Sequence, residues 1–189
     1  MIFKSYEIQK KVLDFEKYNG KGGSFLVMPL DKGKIFSKEM FSEDQKMFAN
    51  AAYEYATSRM KPLKDDLKKI NKELTMKIVK EWGEMGFLGV DVPEEYGGSD
   101  LDKTTAAIVV DYLAYSECSS IMVTLGAHSG IGTLPIVWYG NEDQKKKYLP
   151  ILTSGKSLSC YALTEPNAGS DAMNGESTAY LNKEGTHYI

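Results

Sequence analysis

Apolar residues recur three and four positions apart between residues 42 and 155, which is the spacing of amphipathic α-helices. Ser42 and Asn141 are each followed three residues later by Gln, the pattern of a capping box, so both predict helix starts. Pro62 and Pro135 fall inside helical patterns and predict bends or breaks. The first predicted helix begins at Ser42 and is divided at Pro62; the second spans Leu74–Met85 and is closed by Gly86; the third spans Asp102–Glu117. The fourth is a buried segment that is capped by Ser119 or Ser120 and runs toward Tyr139. The fifth begins at Asn141 and ends before Gly155.

The periodicity changes after Gly155. The patterns of Ser157–Leu163 and Thr178–Asn182 predict two strands, Lys183–Gly185 predicts a tight turn, and His187–Ile189 predicts the start of a third strand. Two or three strands seldom form a stable sheet by themselves, and an unpaired third strand would leave an exposed edge. We therefore expect a truncated chain whose sheet is completed by residues beyond it.

Together these patterns predict a mainly α fold. We expect a leader over residues 1–37, a helical domain over residues 38–155 and the incomplete start of a β domain over residues 156–189. Within the leader, the pattern predicts a short helix over Ile8–Tyr18 and an apolar patch over Phe25–Leu30.

Composition narrows the classes of function. The chain has 189 residues and a formal net charge of −3, whereas general nucleic-acid binders are usually basic, so no nucleic-acid partner is expected. We find no apolar run that predicts a transmembrane helix. Cys118 and Cys160 are far apart in the sequence, which favours reduced, buried thiols over a disulfide framework. His128 and His187 are isolated from other metal ligands, and no metal site is predicted.

The segment Tyr161–Asp171 carries the most informative candidate chemistry. A predicted strand runs into a turn of Pro, Asn, Gly, Ser and Asp, residues that free backbone N–H groups and let a ligand approach the main chain. Thr164 and Ser170 add hydroxyl groups that donate and accept hydrogen bonds. Such a loop suits a flat polar ring or a phosphate, although turns between strands also have this composition for backbone reasons alone.

The run from Ala162 to Asp171, Ala-Leu-Thr-Glu-Pro-Asn-Ala-Gly-Ser-Asp, resembles the signature of the acyl-CoA dehydrogenases, flavoenzymes that desaturate acyl thioesters. Three further stretches resemble segments of that family in the same order: Gly86–Gly98, Gly126–Pro135 and Gly140–Pro150. The resemblance covers residues 38–189. The variant Gly-Ala-His-Ser-Gly-Ile-Gly and the long leader are most similar to the very-long-chain branch.

The resemblance implies an acyl-CoA dehydrogenase-type N-terminal helical domain and FAD as cofactor. It also implies that the full-length enzyme removes an α proton and a β hydride from a long-chain acyl-CoA to form a trans-2-enoyl-CoA. By match with the family motif, the cofactor-binding positions are Tyr161, Ala162, Leu163, Thr164, Gly169 and Ser170, and Ser170 is also the substrate-binding position.

No catalytic residue is expected within the chain, because the family takes its catalytic glutamate from a later helical domain. This chain alone is therefore expected to be inactive. Asn167 departs from the family motif, where a small residue is common, and a turn should tolerate it.

The resemblance further implies an acyl-CoA substrate, an electron-transfer flavoprotein or similar acceptor, and a homo-oligomer when full length. The expected location is the cytoplasm of a bacterium, or the mitochondrial matrix in a eukaryote, although no clear transit peptide is present. Two alternatives stay open: a non-catalytic helical fragment that packs or binds a partner, and a related acyl-CoA oxidase.

Glu165 and His128 each permit a functional and a structural interpretation. Glu165 lies in the signature, but we expect it to order the turn by hydrogen bonds and not to act as a base. His128 lies among small residues in an apolar segment and could line an acyl pocket, but we expect a core histidine whose hydrogen bonds are satisfied.

Overall fold

Residues 36–69 and 71–189, together with the single residues 17, 23, 26 and 28, are described by the structure, a computed structural model. The helix expected over Ile8–Tyr18 and the apolar patch expected over Phe25–Leu30 lie outside the described residues, apart from these single positions. The chain divides into two compact units, Met1–Met47 and Phe48–Ile189.

Helix α1 spans Glu43–Glu54, and the capping box predicted at its start is confirmed. The Ser42 hydroxyl accepts a hydrogen bond from the Gln45 N–H at 3.2 Å, and Gln45 Oε1 accepts one from the Ser42 N–H at 3.1 Å. Beyond α1 the helical pitch changes around Pro62, which has no N–H to continue an α-helix. The elements are a π-helical segment, Tyr55–Met60, a 3-10 turn, Lys61–Leu63, and helix α2, Lys64–Leu67.

Helices α3 and α4 both begin at a side-chain cap. Helix α3 spans Lys72–Glu84 and is capped by Asn71, and α4 spans Lys103–Leu113 and is capped by Asp102. Gly86 follows α3 with a φ of +76°, a left-handed conformation that favours glycine. The predicted end of this helix is therefore confirmed.

A second helical run changes pitch before its proline. Neither Ser119 nor Ser120 caps the run, so that prediction is wrong. Cys118 is at the N-cap position without a side-chain cap, Ser119 begins the helix, and the Ser120 hydroxyl instead donates to the carbonyl of Leu67 at 3.3 Å. The elements are α5, Ser119–Leu125, a π-helical segment, Gly126–Gly132, and α6, Leu134–Tyr139, which has Pro135 in its first turn as the break predicted there.

The run Ser119–Tyr139 contains 21 residues and is apolar enough, by length and composition alone, to cross a membrane. Core helices of water-soluble proteins are also long and apolar enough, so this property is weak evidence for a membrane-spanning helix. The expectation that the chain has no transmembrane segment stays a prediction.

Helix α7 spans Glu142–Thr153 and starts with the predicted capping box, in which Asn141 and Gln144 exchange side-chain-to-backbone hydrogen bonds. It ends before Gly155, as predicted. The helices pack around a core that centres on Trp82, Met60 and Leu125, all of them fully buried. A smaller cluster joins α7 to the loop after α3 through Leu149, Val92 and Tyr96.

The strands predicted after Gly155 are not formed as a sheet. Ser157–Leu163 has no ladder partner in the described part of the chain, and only an isolated bridge links Leu181 to Tyr188. The turn predicted at Lys183–Gly185 is confirmed, since the Gly185 N–H donates to the Asn182 carbonyl at 3.0 Å. The mainly α fold is confirmed. A strand needs a neighbouring strand to satisfy its backbone, and among the described residues Ser157–Leu163 has none, while Thr178–Asn182 and His187–Ile189 pair only with each other.

Candidate functional site

The segment that carries the candidate loop leaves the helices at a tightly packed glycine. Gly155 has a φ of +67°, and a Cβ there would lie 2.4 Å from the carbonyl oxygen of Val79 in α3. Only glycine can bring the main chain this close to α3. The direction in which residues 156–164 depart is therefore fixed by the helical packing.

A buried histidine fixes the next point along this segment. His128 is only 1% exposed. Its Nε2 lies 3.1 Å from the Leu152 carbonyl oxygen in α7, and its Nδ1 accepts a hydrogen bond from the Ser159 N–H at 3.0 Å. Burial lowers the pKa of the imidazole, which favours its neutral form. The prediction that His128 is a core histidine with satisfied hydrogen bonds is confirmed.

Two further contacts hold Ser159 against the end of the π-helical segment. The Ser159 hydroxyl donates to the His128 carbonyl at 3.0 Å, and its oxygen lies 3.2 Å from the hydroxyl oxygen of the buried Thr133. A Cβ at Gly132 would lie 2.4 Å from the Ser159 hydroxyl oxygen. We define Gly132, His128, Thr133, Leu152 and Ser159 as the histidine junction.

Beyond the histidine junction the candidate loop is exposed. Tyr161 is 55% exposed and Leu163 is 47% exposed, and Ala162 and Thr164 are exposed as well. In the described part of the chain, residues 157–164 make no hydrogen bond between backbone groups. Apart from the Ser159 N–H, their backbone groups have no partner among the described residues.

The turn Glu165–Ala168 closes the other end of this exposed stretch. The backbone groups of Glu165 and Ala168 exchange two hydrogen bonds, at 3.0 and 3.2 Å. The Glu165 carboxylate accepts hydrogen bonds from the N–H of Glu176 at 2.6 Å and of Ser177 at 3.1 Å. These bonds, led by that from Glu176, lower the pKa of the Glu165 carboxyl. The expectation that Glu165 orders the turn is confirmed.

Gly169 and Ser170 follow the turn and are both exposed. A Cβ at Gly169 would meet no atom within 4 Å, and its φ is not left-handed. Neither its conformation nor its described neighbours therefore require glycine at this position. The six predicted cofactor positions lie on one continuous stretch of chain, at its exposed surface.

A groove that sequence reasoning did not identify lies between α4, the loop after α3 and the π-helical segment. It encloses about 460 Å³ and is mainly apolar, with Phe87, Val90 and Val110 among its lining residues. Gly126 and Gly130 line it as well, and a Cβ at either would meet no atom within 4 Å. Their spacing of four residues, one helical turn, was the signal in the sequence.

Among the thiols, Cys118 is buried but Cys160 is exposed, and both are free. The expectation of buried thiols is therefore wrong for Cys160, because the segment that carries it leaves the helical core after Ser159. Among the described residues no three His, Cys, Asp or Glu side chains form a group that could hold a metal ion.

A family model described as the acyl-CoA dehydrogenase N-terminal domain matches residues 42–156. The chain belongs to the acyl-CoA dehydrogenase family. A probable acyl-CoA dehydrogenase of Bacillus subtilis (strain 168) is 43% identical over 180 residues, which are 95% of this chain and 29% of that protein. An acyl-CoA dehydrogenase structure from Bacillus anthracis, complexed with FAD, is 46% identical with a TM-score of 0.79, covering 90% of this chain and 29% of that one.

The acyl-CoA dehydrogenases that this chain matches differ in their named chain length. The very long-chain specific enzyme of Macaca fascicularis is 38% identical over 127 residues, 67% of this chain and 19% of that protein. Short-chain and branched-chain members match too. The resemblance to the family is thus confirmed, but the matches do not select one chain-length branch. This chain spans under a third of the length of the first relatives named above.

Proposed function

We propose that the protein containing this chain is an FAD-dependent acyl-CoA dehydrogenase that converts a long-chain acyl-CoA to a trans-2-enoyl-CoA. One observation carries the proposal: the candidate loop presents an exposed row of backbone donors and acceptors, without backbone partners among the described residues, between two fixed ends, the histidine junction and the Glu165–Ala168 turn. A flat polar ring needs such a row of preorganised donors and acceptors.

The residues of the loop fit the flavin of FAD. Leu163 offers backbone groups that have no partner among the described residues, and Thr164 adds the hydroxyl of an exposed residue; together they match the mixed donors and acceptors at the pyrimidine edge of a flavin. Gly169 has open space where a side chain would be, which lets a large ligand approach the main chain. When bound, FAD would supply the hydride-accepting chemistry, and the residues of the loop would bind and orient the flavin. Tyr161, Ala162 and Ser170 complete the proposed cofactor contacts, and Ser170 also contacts the acyl-CoA.

The base that takes the α proton is proposed to lie outside this chain. A general base needs a pKa raised toward the working pH, whereas hydrogen bonds from Glu176 and Ser177 lower that of Glu165. An electron-transfer flavoprotein or similar carrier is the proposed acceptor, and the full-length enzyme is proposed to be a homo-oligomer.

The preference for a long acyl chain rests on the glycine-lined groove. Apolar walls stabilise a bound hydrocarbon by burying its surface, and Gly126 and Gly130 leave room that larger residues would fill.

The full-length protein tests both parts of the proposal. It should purify yellow or become yellow with added FAD, and should reduce a dye in the presence of long-chain acyl-CoA. Gly130→Leu should lower kcat/KM for long chains about tenfold or more and leave short chains unaffected, because it fills the groove; Gly130→Ala should have a smaller effect. A colourless, folded protein after FAD reconstitution contradicts the cofactor, and equal losses for all chain lengths contradict the groove.

A further inference from the structure

We propose that His128 is a positioning residue, whose Nδ1 holds the Ser159 backbone and thereby fixes where the candidate loop begins. Its consequence for FAD rests on the function proposed above. The positioning itself is a property of the loop and can be measured without the cofactor.

The hydrogen bonds around His128 define its tautomer. The Ser159 N–H can only donate, so the Nδ1 atom that receives it at 3.0 Å must carry the lone pair. The proton of the neutral imidazole is therefore on Nε2, which donates to the Leu152 carbonyl at 3.1 Å. One ring thus connects the π-helical segment, the end of α7 and the departing segment, each by a directed bond.

This connection is close enough to the loop to set its position. Tyr161 follows Ser159 by two residues, which span about 7 Å in an extended chain. Residues 157–164 make no other backbone hydrogen bond to a backbone or side-chain partner in the described part of the chain. A shift at Ser159 would therefore carry directly into the residues proposed to contact the flavin.

Two substitutions separate this role from simple filling of the core. In His128→Asn the amide oxygen reaches about as far as Nδ1, so it can still accept from the Ser159 N–H. In His128→Gln the amide nitrogen reaches about as far as Nε2, so it keeps the bond to Leu152 and leaves Ser159 without its acceptor. Gln preserves more of the buried volume, so a packing role would favour Gln, whereas the positioning role favours Asn.

Hydrogen exchange of the full-length protein without added FAD tests the proposal. His128→Gln should speed exchange in peptides covering residues 157–164 about fivefold or more, while His128→Asn should stay within about twofold of the wild type. Exchange in α3 should change in neither, and His187→Gln, which alters the other, exposed histidine, should leave the loop unchanged. Equal acceleration in both variants, or faster exchange in Asn than in Gln, would overturn the proposal.

If either variant does not fold, ¹⁵N NMR of the wild-type imidazole decides the question. A lone pair on Nδ1 and a proton on Nε2 are expected, and a protonated Nδ1 would overturn the proposal. FAD affinity is measured separately: His128→Gln should raise the Kd about fivefold. Faster exchange with an unchanged Kd would support the positioning role and contradict the placement of FAD on this loop.

Discussion

At the scale of single residues, the partly exposed carboxylate of Glu165 has a structural role. Its two oxygens accept hydrogen bonds from the N–H groups of Glu176 and Ser177, which joins the turn to the chain eleven and twelve residues later. Hydrogen bonds to the charged form lower the pKa of the carboxyl, so the group stays ionised well below neutral pH. A carboxylate of this kind accepts a proton poorly, and its hydrogen bonds hold the turn to the segment at Glu176 and Ser177.

The hydroxyl of Thr164 permits a direct test of the proposed flavin contact. Thr164→Val keeps the shape of the side chain and removes the hydroxyl, so the full-length enzyme should lose about 1–3 kcal/mol of FAD binding free energy. Fluorescence titration with FAD measures the loss, and circular dichroism checks that the fold is unchanged. Thr178→Val, at another exposed position, is the matched control. Equal affinity in both variants would show that Thr164 is only a turn residue.

At the scale of elements, the π-helical segment Gly126–Gly132 meets two different requirements with its glycines. Gly132 faces Ser159, where a Cβ would collide with the hydroxyl at 2.4 Å, whereas Gly126 and Gly130 face the groove, where a Cβ would meet nothing within 4 Å. The same residue type thus allows close packing on one side and leaves open space on the other.

Paired alanine substitutions in this segment should have opposite effects. Gly132→Ala should lower the free energy of unfolding by about 1–3 kcal/mol, because Ser159 must move. Gly130→Ala should raise it by up to about 1 kcal/mol, because alanine restricts the unfolded chain and meets no neighbour. Denaturant unfolding monitored by circular dichroism measures both. Similar effects of the two substitutions would contradict the close approach of Ser159.

At the scale of the whole molecule, an ion pair ties the first helical run to α3. Arg59 contacts Glu81 with two hydrogen bonds, at 2.7 and 2.9 Å, and the Tyr55 hydroxyl donates to the same carboxylate at 2.6 Å. The bond from Arg59 is the main cause that lowers the pKa of Glu81. Burial, reinforced by the bond to Glu81, raises the pKa of Tyr55.

This network predicts the response of stability to acid. Because the pKa of Glu81 is lower in the folded than in the unfolded state, its stabilisation is present above the ordinary glutamate pKa of about 4.3 and is lost as the pH falls through the folded value. Glu81→Gln should lower the free energy of unfolding at pH 7 by about 1–3 kcal/mol, and the difference from the wild type should shrink in acid. Glu84→Gln, at an exposed pair with Lys80, should change it by less than about 0.5 kcal/mol. A difference that does not vary with pH would contradict this account.

The chain of 189 residues by itself should not turn over acyl-CoA. Loss of a general base removes about two to four orders of magnitude in rate, and Glu165 is held by hydrogen bonds that lower its pKa. Dye reduction with long-chain acyl-CoA and added FAD measures the rate against the full-length protein. Comparable rates would mean that a base within residues 1–189 exists.

Local signals in the sequence determined most of the helical elements and the position of the candidate loop. The capping boxes at Ser42 and Asn141, the stop at Gly86 and the break at Pro135 depend on residues within one or two turns of each other, so they can be predicted without tertiary contacts. The family motif likewise lies in one continuous stretch. The same reasoning failed at Ser119 and Ser120, because Ser120 bonds to a carbonyl 53 residues away in sequence.

Only the tertiary structure decided what lies on either side of that loop. His128 and Ser159 are 31 residues apart in sequence, and Gly132 faces Ser159 because packing, not periodicity, brings them together. The groove lined by Gly126 and Gly130 likewise forms between elements distant in the chain. The strand predicted over Ser157–Leu163 has no pairing partner among the described residues, and a strand forms only when a neighbouring strand pairs with it. The sequence of each segment therefore determines the secondary structure that the segment favours, and contacts between segments decide whether that structure forms.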